Sequence, residues 1–383
     1  MLKSIKNVEI VNKKVLLRLD LNVPIHNEHI QSDFRIKKSI PTILHLIKNS
    51  NSIIILSHLG RPNEGKITPE LSLLKIAKYL SNELSLNIKF VEDWVNGLET
   101  NNNEIVMCEN VRFQKGERNN DTVLSKKIAS LGDIFVFDAF GASHRKEAST
   151  YGVMNYIDSY AGLLIDEEIN NANGIINNPK KPLLTIISGA KISTKIKVIS
   201  KLIDKCDYMI LGGGILNTFL HALGHEIGKS LAEKEFVSDA IKIIESPQFE
   251  KIILPIDVLC SEIDNPNQSK NKSLSMVQST DSIFDIGKQT INKYKAIIES
   301  SKTIFWNGPL GYIEKEPFDT GTIEILKNIA SSDAYSIIGG GDTIPIVEKL
   351  GLQDNITCLS TGGGALLKYM EGEQLPVLKK LEK

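Results

Sequence analysis

The chain has 383 residues, 42% of them hydrophobic and 24% charged, and a formal net charge of −1. That length supplies about two domains with a core each, and the near-zero charge removes the global field that would draw a chain to nucleic acid or to a membrane surface. Four scattered cysteines (Cys108, Cys206, Cys260, Cys358) form no CxxC pair, residues 1–6 lack the apolar core of a signal peptide, and no apolar run is long enough to cross a bilayer, so a reducing, cytoplasmic setting is expected.

In chain order, residues 15–19 read as a buried strand that exits into Asp20-Leu21-Asn22-Val23-Pro24. Arg18 inside that strand implies a buried ion pair rather than a site residue. Arg35 lies in a helix expected to open at Asp33 and run to Ile47, with Pro41 near its first turn, where proline is tolerated. Residues 52–56 form a second strand, ending in Ser57-His58-Leu59-Gly60-Arg61. Residues 71–84 carry apolar side chains at helical spacing, and residues 88–91 are extended. Residues 105–108 lead into Glu109-Asn110-Val111-Arg112-Phe113, and residues 134–137 into Asp138-Ala139-Phe140-Gly141 and then His144-Arg145.

Strands alternating with helices predict an α/β fold, a parallel sheet with helices on both faces. The ligand site of such a sheet lies at the carboxyl ends of its strands. Four strand exits therefore place His58, Arg61, Arg112, His144 and Arg145 on one rim, cationic and with no evident acidic counterweight. Of 45 lysines and arginines only six are arginine, all at or before residue 145. Arginine grips phosphate or carboxylate with a planar fork, so a small multiply charged anion is the expected ligand. One or two of the six are equally readable as structural ion-pair partners.

A helix is expected over 161–172 and a linker-like break over 177–182, where the second half restarts. Residues 183–187 read as a strand, followed by Ser188-Gly189-Ala190-Lys191. Lys191 and Lys195 are four apart, on one helical face near a helix start, as a polyphosphate site requires and as exposed helix lysines also do. Three predicted strands end in triple glycines: Gly212-Gly213-Gly214, Gly339-Gly340-Gly341 and Gly362-Gly363-Gly364. A fourth ends in Asn307-Gly308-Pro309, with Glu314 after it. Glycines at a turn let backbone N–H groups approach a phosphate, and three such turns suggest a nucleotide rim. Asp342-Thr343 adds a carboxylate where a nucleotide's Mg²⁺ would sit. Residues 265–273 read as a mobile loop. Gly224-His225-Glu226-Ile227-Gly228-Lys229-Ser230 imitates a phosphate-binding P-loop, but it is one residue short and follows a helix rather than a strand. His221 and His225 lack the glutamate of a zinc-protease pair. A dehydrogenase would need a GxGxxG fingerprint, which is absent. A hinged solute receptor would need a signal peptide and no second set of phosphate glycines.

Arg18-Leu19-Asp20-Leu21-Asn22-Val23-Pro24, His58-Leu59-Gly60-Arg61, Glu109-Asn110-Val111-Arg112-Phe113, Asp138-Ala139-Phe140-Gly141, Gly189-Ala190-Lys191, Trp306-Asn307-Gly308-Pro309, residues 339–343 and residues 361–365 stand in the order of the phosphoglycerate kinase motifs, and over nearly its whole length the chain resembles that family. The resemblance implies two Rossmann-like, doubly wound domains joined by a hinge helix with a cleft between them. Residues 1–168 would bind 3-phosphoglycerate, residues 169–371 the nucleotide, and residues 372–383 would return to the first domain. It implies reversible phosphoryl transfer between 1,3-bisphosphoglycerate and ADP, with Mg²⁺, in a monomer. By similarity Asp20, Asn22, Arg35, His58, Leu59, Gly60, Arg61, Arg112 and Arg145 bind the glycerate substrate. Lys191, Lys195, Glu314, Gly340, Gly341, Asp342 and Thr343 serve the nucleotide, Asp342 the metal, and Arg35, Lys195, Gly341 and Gly364 catalysis. Leu21, Ser188, Leu366 and Lys368 depart from the family's usual residues, which leaves local packing and nucleotide affinity open.

Overall fold

The computed structural model describes residues 2–49, 51–262 and 268–382. The chain divides into two compact units, Met1–Asn170 with Glu373–Lys383, and Asn171–Gly372.

The first unit is built on strands β1 (Lys14–Leu19), β4 (Ser52–Leu56), β5 (Ile88–Val91), β6 (Ile105–Cys108), β7 (Ile134–Asp138) and β8 (Ser159–Ala161), with a small hairpin of β2 (Ile25–His26) and β3 (His29–Ile30). The six main strands lie in the order β5-β6-β4-β1-β7-β8, and every pair is parallel. All five residues of β4 are buried, and four of them, residues 53–56, form the apolar run of a strand covered on both faces. Helices α1 (Phe34–Ile47), α2 (Leu74–Leu84), α3 (Thr122–Ala129) and α4 (Leu163–Asn177) alternate with these strands. α2 buries Ile76, Ala77 and Leu80 on one stripe, and each fully buried isoleucine or leucine contributes roughly 1.5–3 kcal/mol.

The second unit carries β9 (Leu183–Ser188), β10 (Tyr208–Gly212), β14 (Thr303–Asn307), β15 (Tyr335–Gly339) and β16 (Cys358–Ser360), all parallel in the order β10-β9-β14-β15-β16. Beside it is an antiparallel sheet of β11 (Asp257–Ser261), β12 (Lys270–Ser273) and β13 (Ser282–Ile286). Helices α5 (Ile196–Ile203), α6 (Gly213–Ala222), α7 (Val237–Ile244), α8 (Lys288–Ser300), α9 (Thr320–Ala330), α10 (Ile344–Lys349) and α11 (Gly364–Met370) complete it. The last helix, α12 (Pro376–Leu381), belongs to the first unit, where the Val377 N–H donates to the Ser143 carbonyl at 3.2 Å.

Several local expectations need correction. Pro41 is not in a first turn but well inside α1. It is exposed, and a proline at a solvent-facing helix position costs least because water can replace the hydrogen bond that its missing N–H cannot make. The helix expected over 161–172 runs from Leu163 to Asn177 and takes in the first residue of the supposed linker. Of the expected mobile loop, residues 265–267 lie outside the described residues, and Lys270–Ser273 is an edge strand paired with β11. α6 precedes the P-loop imitation, as its rejection required, and His225 lies beyond the end of that helix.

Candidate active site

In the first unit, the exits of β1, β4, β6 and β7 gather the arginines. Arg18 is fully buried. Its Nε donates to Ser149 Oγ at 3.1 Å, Nη1 to the Leu19 carbonyl, and Nη2 to His58 Nδ1 at 3.2 Å. Among the described residues no carboxylate makes the expected direct ion pair with Arg18. Ser149 stands between instead, its hydroxyl donating to the buried Glu117 carboxylate. Burial pushes the Glu117 carboxyl up to about 7, against the pull of Ser149 and Arg18.

His58, counted among the cations of the rim, is neutral. Burial first, then Arg18, Arg112, Arg145 and Arg35, hold its pKa well below the ordinary value. With Nδ1 accepting from Arg18, its proton sits on Nε2. His144 Nε2 accepts from Arg145 Nε at 3.4 Å.

Asp20 pairs with Arg35. Asn22 Oδ1 accepts the Gly60 N–H at 2.9 Å, and Arg112 Nη1 donates to the Gly60 carbonyl at 2.6 Å, so one glycine is clasped from both sides. Gly60 has φ +62°, and a Cβ there would stand 2.6 Å from Leu71 Cδ2. Leu59 is buried and its carbonyl accepts from Asn110 at 2.8 Å. Arg61 is exposed. Arg118, by contrast, is held by the Pro62 carbonyl and Glu64 and joins no cluster.

The acid missed in the sequence is Glu147, which does supply a counterweight. It is buried, 3.2 Å from Arg112 Nη2 and 4.0 Å from Arg145 Nη1. Arg112 Nε, Arg145 Nη1 and Glu147 Oε2 are buried without hydrogen-bond partners. Two buried guanidinium donors with no protein hydrogen-bond partner, in one cluster, are groups that an anion can satisfy. The available signal was position: Glu147 follows Arg145 by two residues in the same strand-exit loop.

In the second unit, a cavity of about 490 Å³ opens at the strand exits, lined by Gly189, Ala190, Gly213, Gly214, Pro309, Gly311, Glu314 and Asp342, and also by Phe284, Tyr312, Asn217 and Lys229. A Cβ on Gly214 would fall 2.2 Å from the Ala190 carbonyl, so the glycine pair lets α6 begin directly against the loop after β9. The N-terminus of α6 and the phosphate-type glycine turn therefore meet at the cavity wall. Glu314 and Asp342 were expected from the sequence; Phe284, Tyr312 and Asn217 carry no motif and were not, and Lys229, set aside with the P-loop imitation, lines the cavity as well.

Lys191 and Lys195 do not share a helical face. Lys191 has extended backbone, a 3-10 turn spans Ile192–Thr194, and α5 begins after Lys195. Lys191 is exposed. Lys195 folds inward, its ammonium donating to the Ser188 carbonyl and, at 3.3 Å, to that of Asn307. Burial lowers its pKa to about 8, with Asp342 partly restoring it. Gly308 makes the room, since a Cβ there would lie 2.0 Å from the Ser188 carbonyl and 2.8 Å from Lys195 Nζ.

Gly341 and Gly364 have open space where a Cβ would point, and Gly340 has φ +124°. Thr343 is buried with its Oγ1 unpartnered. None of these four, nor Lys191, lines the cavity. Ser188 is buried and donates to the Pro309 carbonyl at 2.5 Å. Leu21 and Leu366 are buried and Lys368 is exposed.

A sequence model described as phosphoglycerate kinase matches residues 5–373. The phosphoglycerate kinase of Francisella tularensis subsp. novicida is 42% identical over 99% of this chain and 98% of that protein. That of Coxiella burnetii is 42% identical over 98% of this chain and 97% of its own. Among solved structures, the Coxiella burnetii phosphoglycerate kinase superposes with a TM-score of 0.89, covering 100% of this chain and 99% of that one. The Pyrococcus horikoshii enzyme, 30% identical, gives 0.86 over 99% and 98%.

Proposed function

The chain belongs to the phosphoglycerate kinase family and is a kinase of glycolysis acting with ATP and ADP, and from that premise we propose how its residues divide the work. The arginine cluster of residues 1–168 takes 3-phosphoglycerate, and the cavity and glycine turns of residues 169–371 take the nucleotide. The observation that carries this is the pair of orphan donors, Arg112 Nε and Arg145 Nη1, in a cluster separate from the glycine-walled cavity. Asp20, Asn22, Arg35, His58, Leu59, Gly60, Arg61, Arg112 and Arg145 hold the phosphoglycerate. Asp20 and Asn22 act largely by fixing Arg35 and Gly60.

Transfer of a phosphoryl group needs in-line positioning and compensation of charge on three equatorial oxygens. Arg35 and Lys195 supply cations, and the backbone amides of Gly340, Gly341 and Gly364 supply donors. No general base is required, because the acceptor is already an anion: the carboxylate of 3-phosphoglycerate or the terminal phosphate of ADP. Glu314 and Lys191 orient the nucleotide, with Thr343. The donor set also fits Mg²⁺. Asp342 is one exposed carboxylate at the cavity rim, and Mg²⁺ is commonly held by one or two carboxylates plus substrate phosphates and water. Bound there with nucleotide, it would neutralise phosphate charge. In-line transfer also requires closure around α4, which excludes water that would hydrolyse the acyl phosphate.

The test is a split of Michaelis constants. Arg112→Ala should raise the 3-phosphoglycerate KM by about 100-fold and leave the ATP KM unchanged, while Asp342→Ala should act on ATP and Mg²⁺. The reverse pattern would exchange the two assignments. Among the described residues no helix is long and apolar enough to cross a membrane. A cytoplasmic monomer is the proposed working form, and a dimer in sedimentation at assay concentration would refute it.

A further inference from the structure

We propose that Glu147 is a built-in counter-anion of the arginine site, which weakens its grip on phosphate dianions and so keeps free phosphate from blocking it. This rests on the reading that the cluster binds phosphoglycerate. The carboxylate reaches Arg112 at 3.2 Å and Arg145 at 4.0 Å, the two arginines with a buried donor free of hydrogen bonds. Any phosphate that uses those donors lies beside a fixed negative charge of its own sign.

Glu147 is not needed to place Arg112. The loop is set by Asn110 Oδ1 accepting the Arg112 N–H at 3.1 Å, and the guanidinium by Nη1 on the Gly60 carbonyl at 2.6 Å. Nor is Glu147 free to swing away. It sits at the mouth of the short π-helical turn Ala148–Gly152, its N–H on Thr150 Oγ1 at 3.3 Å and its carbonyl accepting the Tyr151 N–H at 2.8 Å. Its Oε2 is buried without a partner. The carboxylate also takes part in a capping box with Thr150 at the start of that turn, so it braces the loop as well; an orphan oxygen is unfavourable for a brace alone and consistent with a charge held in place for its effect on a ligand. Arg18 and Arg35, farther from it, keep Ser149 and Asp20 as their own partners.

A phosphate binding beside Glu147 meets like-charge repulsion at a few ångströms. Substrate with two anionic ends recovers that loss through contacts that inorganic phosphate lacks. Removing the charge should therefore tighten phosphate most visibly.

Glu147→Gln keeps the shape and removes the charge. Its affinity for inorganic phosphate, titrated calorimetrically, should rise about ten-fold, with competitive inhibition by phosphate rising in step, the 3-phosphoglycerate KM falling, and the ATP KM unmoved. Glu147→Asp, which keeps the charge, should bind phosphate as weakly as the parent. Unchanged or weaker phosphate binding in Glu147→Gln would overturn the proposal, as would an equal gain in Glu147→Asp. Should Glu147→Gln be unfolded in plain buffer, phosphate must restore its cooperative thermal transition by supplying the missing negative charge beside the arginines, and failure to do so would also overturn it. Arg112→Ala separates the two readings. If that variant leaves the 3-phosphoglycerate KM untouched, the site assignment fails; if it raises the KM while Glu147→Gln changes nothing, only the counter-anion fails.

Discussion

Alkaline pH should disarm Lys195 before it affects the arginines. Burial brings its pKa to about 8, and Asp342 recovers only part of the loss. In the free enzyme about half the molecules then lack the cation at pH 8, and about nine in ten lack it at pH 9. If the charged form alone compensates the transferring phosphoryl group, kcat/KM for ATP falls about ten-fold for each pH unit above 8. Once ATP is bound, its phosphates favour the ammonium and raise that pKa, so kcat should hold to higher pH than kcat/KM. Neither substrate supplies a competing titration, since a phosphate monoester's second pKa is near 6. The assay is ATP-dependent phosphorylation of 3-phosphoglycerate from about pH 6.5 to 10, with coupling enzymes in excess at every pH. Lys195→Arg serves as the comparison. Its guanidinium stays charged throughout, so the variant is slower, being crowded by Gly189 and Gly308, but loses the alkaline limb. A kcat/KM profile flat to pH 10, or the same limb in Lys195→Arg, would refute the assignment of that charge to catalysis.

Arg35→Ala and Lys195→Ala should each lower kcat by about 100- to 1,000-fold, while the KM of either substrate moves far less; near-normal steady-state turnover would remove the residue from catalysis. Gly308→Ala puts a methyl 2.0 Å from the Ser188 carbonyl at φ +93°. It should cost at least about 2 kcal/mol in thermal unfolding and displace Lys195, so kcat falls with stability; a variant with parental Tm and kcat would contradict the close packing. Asp285, which accepts the N–H groups of Gly321 at 2.6 Å and Ile286 at 2.8 Å, is pushed by burial up to about 8. Its folded pKa lies above its unfolded one, so its contribution is full below about pH 4 and is lost as pH rises toward 8. Asp285→Asn should flatten the decline of urea stability over that window by up to about 1.4 kcal/mol per pH unit, and an identical slope would show Asp285 ionised in the folded protein.

Strands and strand exits were legible because burial on both faces writes itself as an unbroken apolar run, as in residues 53–56 and 304–306. A glycine turn likewise needs glycine whatever surrounds it. The edge strand Lys270–Ser273 was not legible, since its exposed, polar residues carry neither period and its pairing with β11 is made only in three dimensions. Lys191 and Lys195 show how spacing misleads: four residues imply one helical face only if the backbone between is helical, and here a 3-10 turn intervenes.

The residue types of both sites, arginine at strand exits early in the chain and glycine at strand exits later, were fixed in the amino-acid order. Phosphate chemistry demands those types, and strand periodicity puts them at the same edge of a sheet. Their protonation states and partners were decided only by tertiary structure. His58 is neutral because burial and four arginines act on it together, Arg18 meets Glu117 only through Ser149, and Glu147 becomes a counterweight because β6 and β7 bring the loops of Arg112 and Arg145 together. Charge state and pairing depend on distance and burial through space, and neither has a period along the chain.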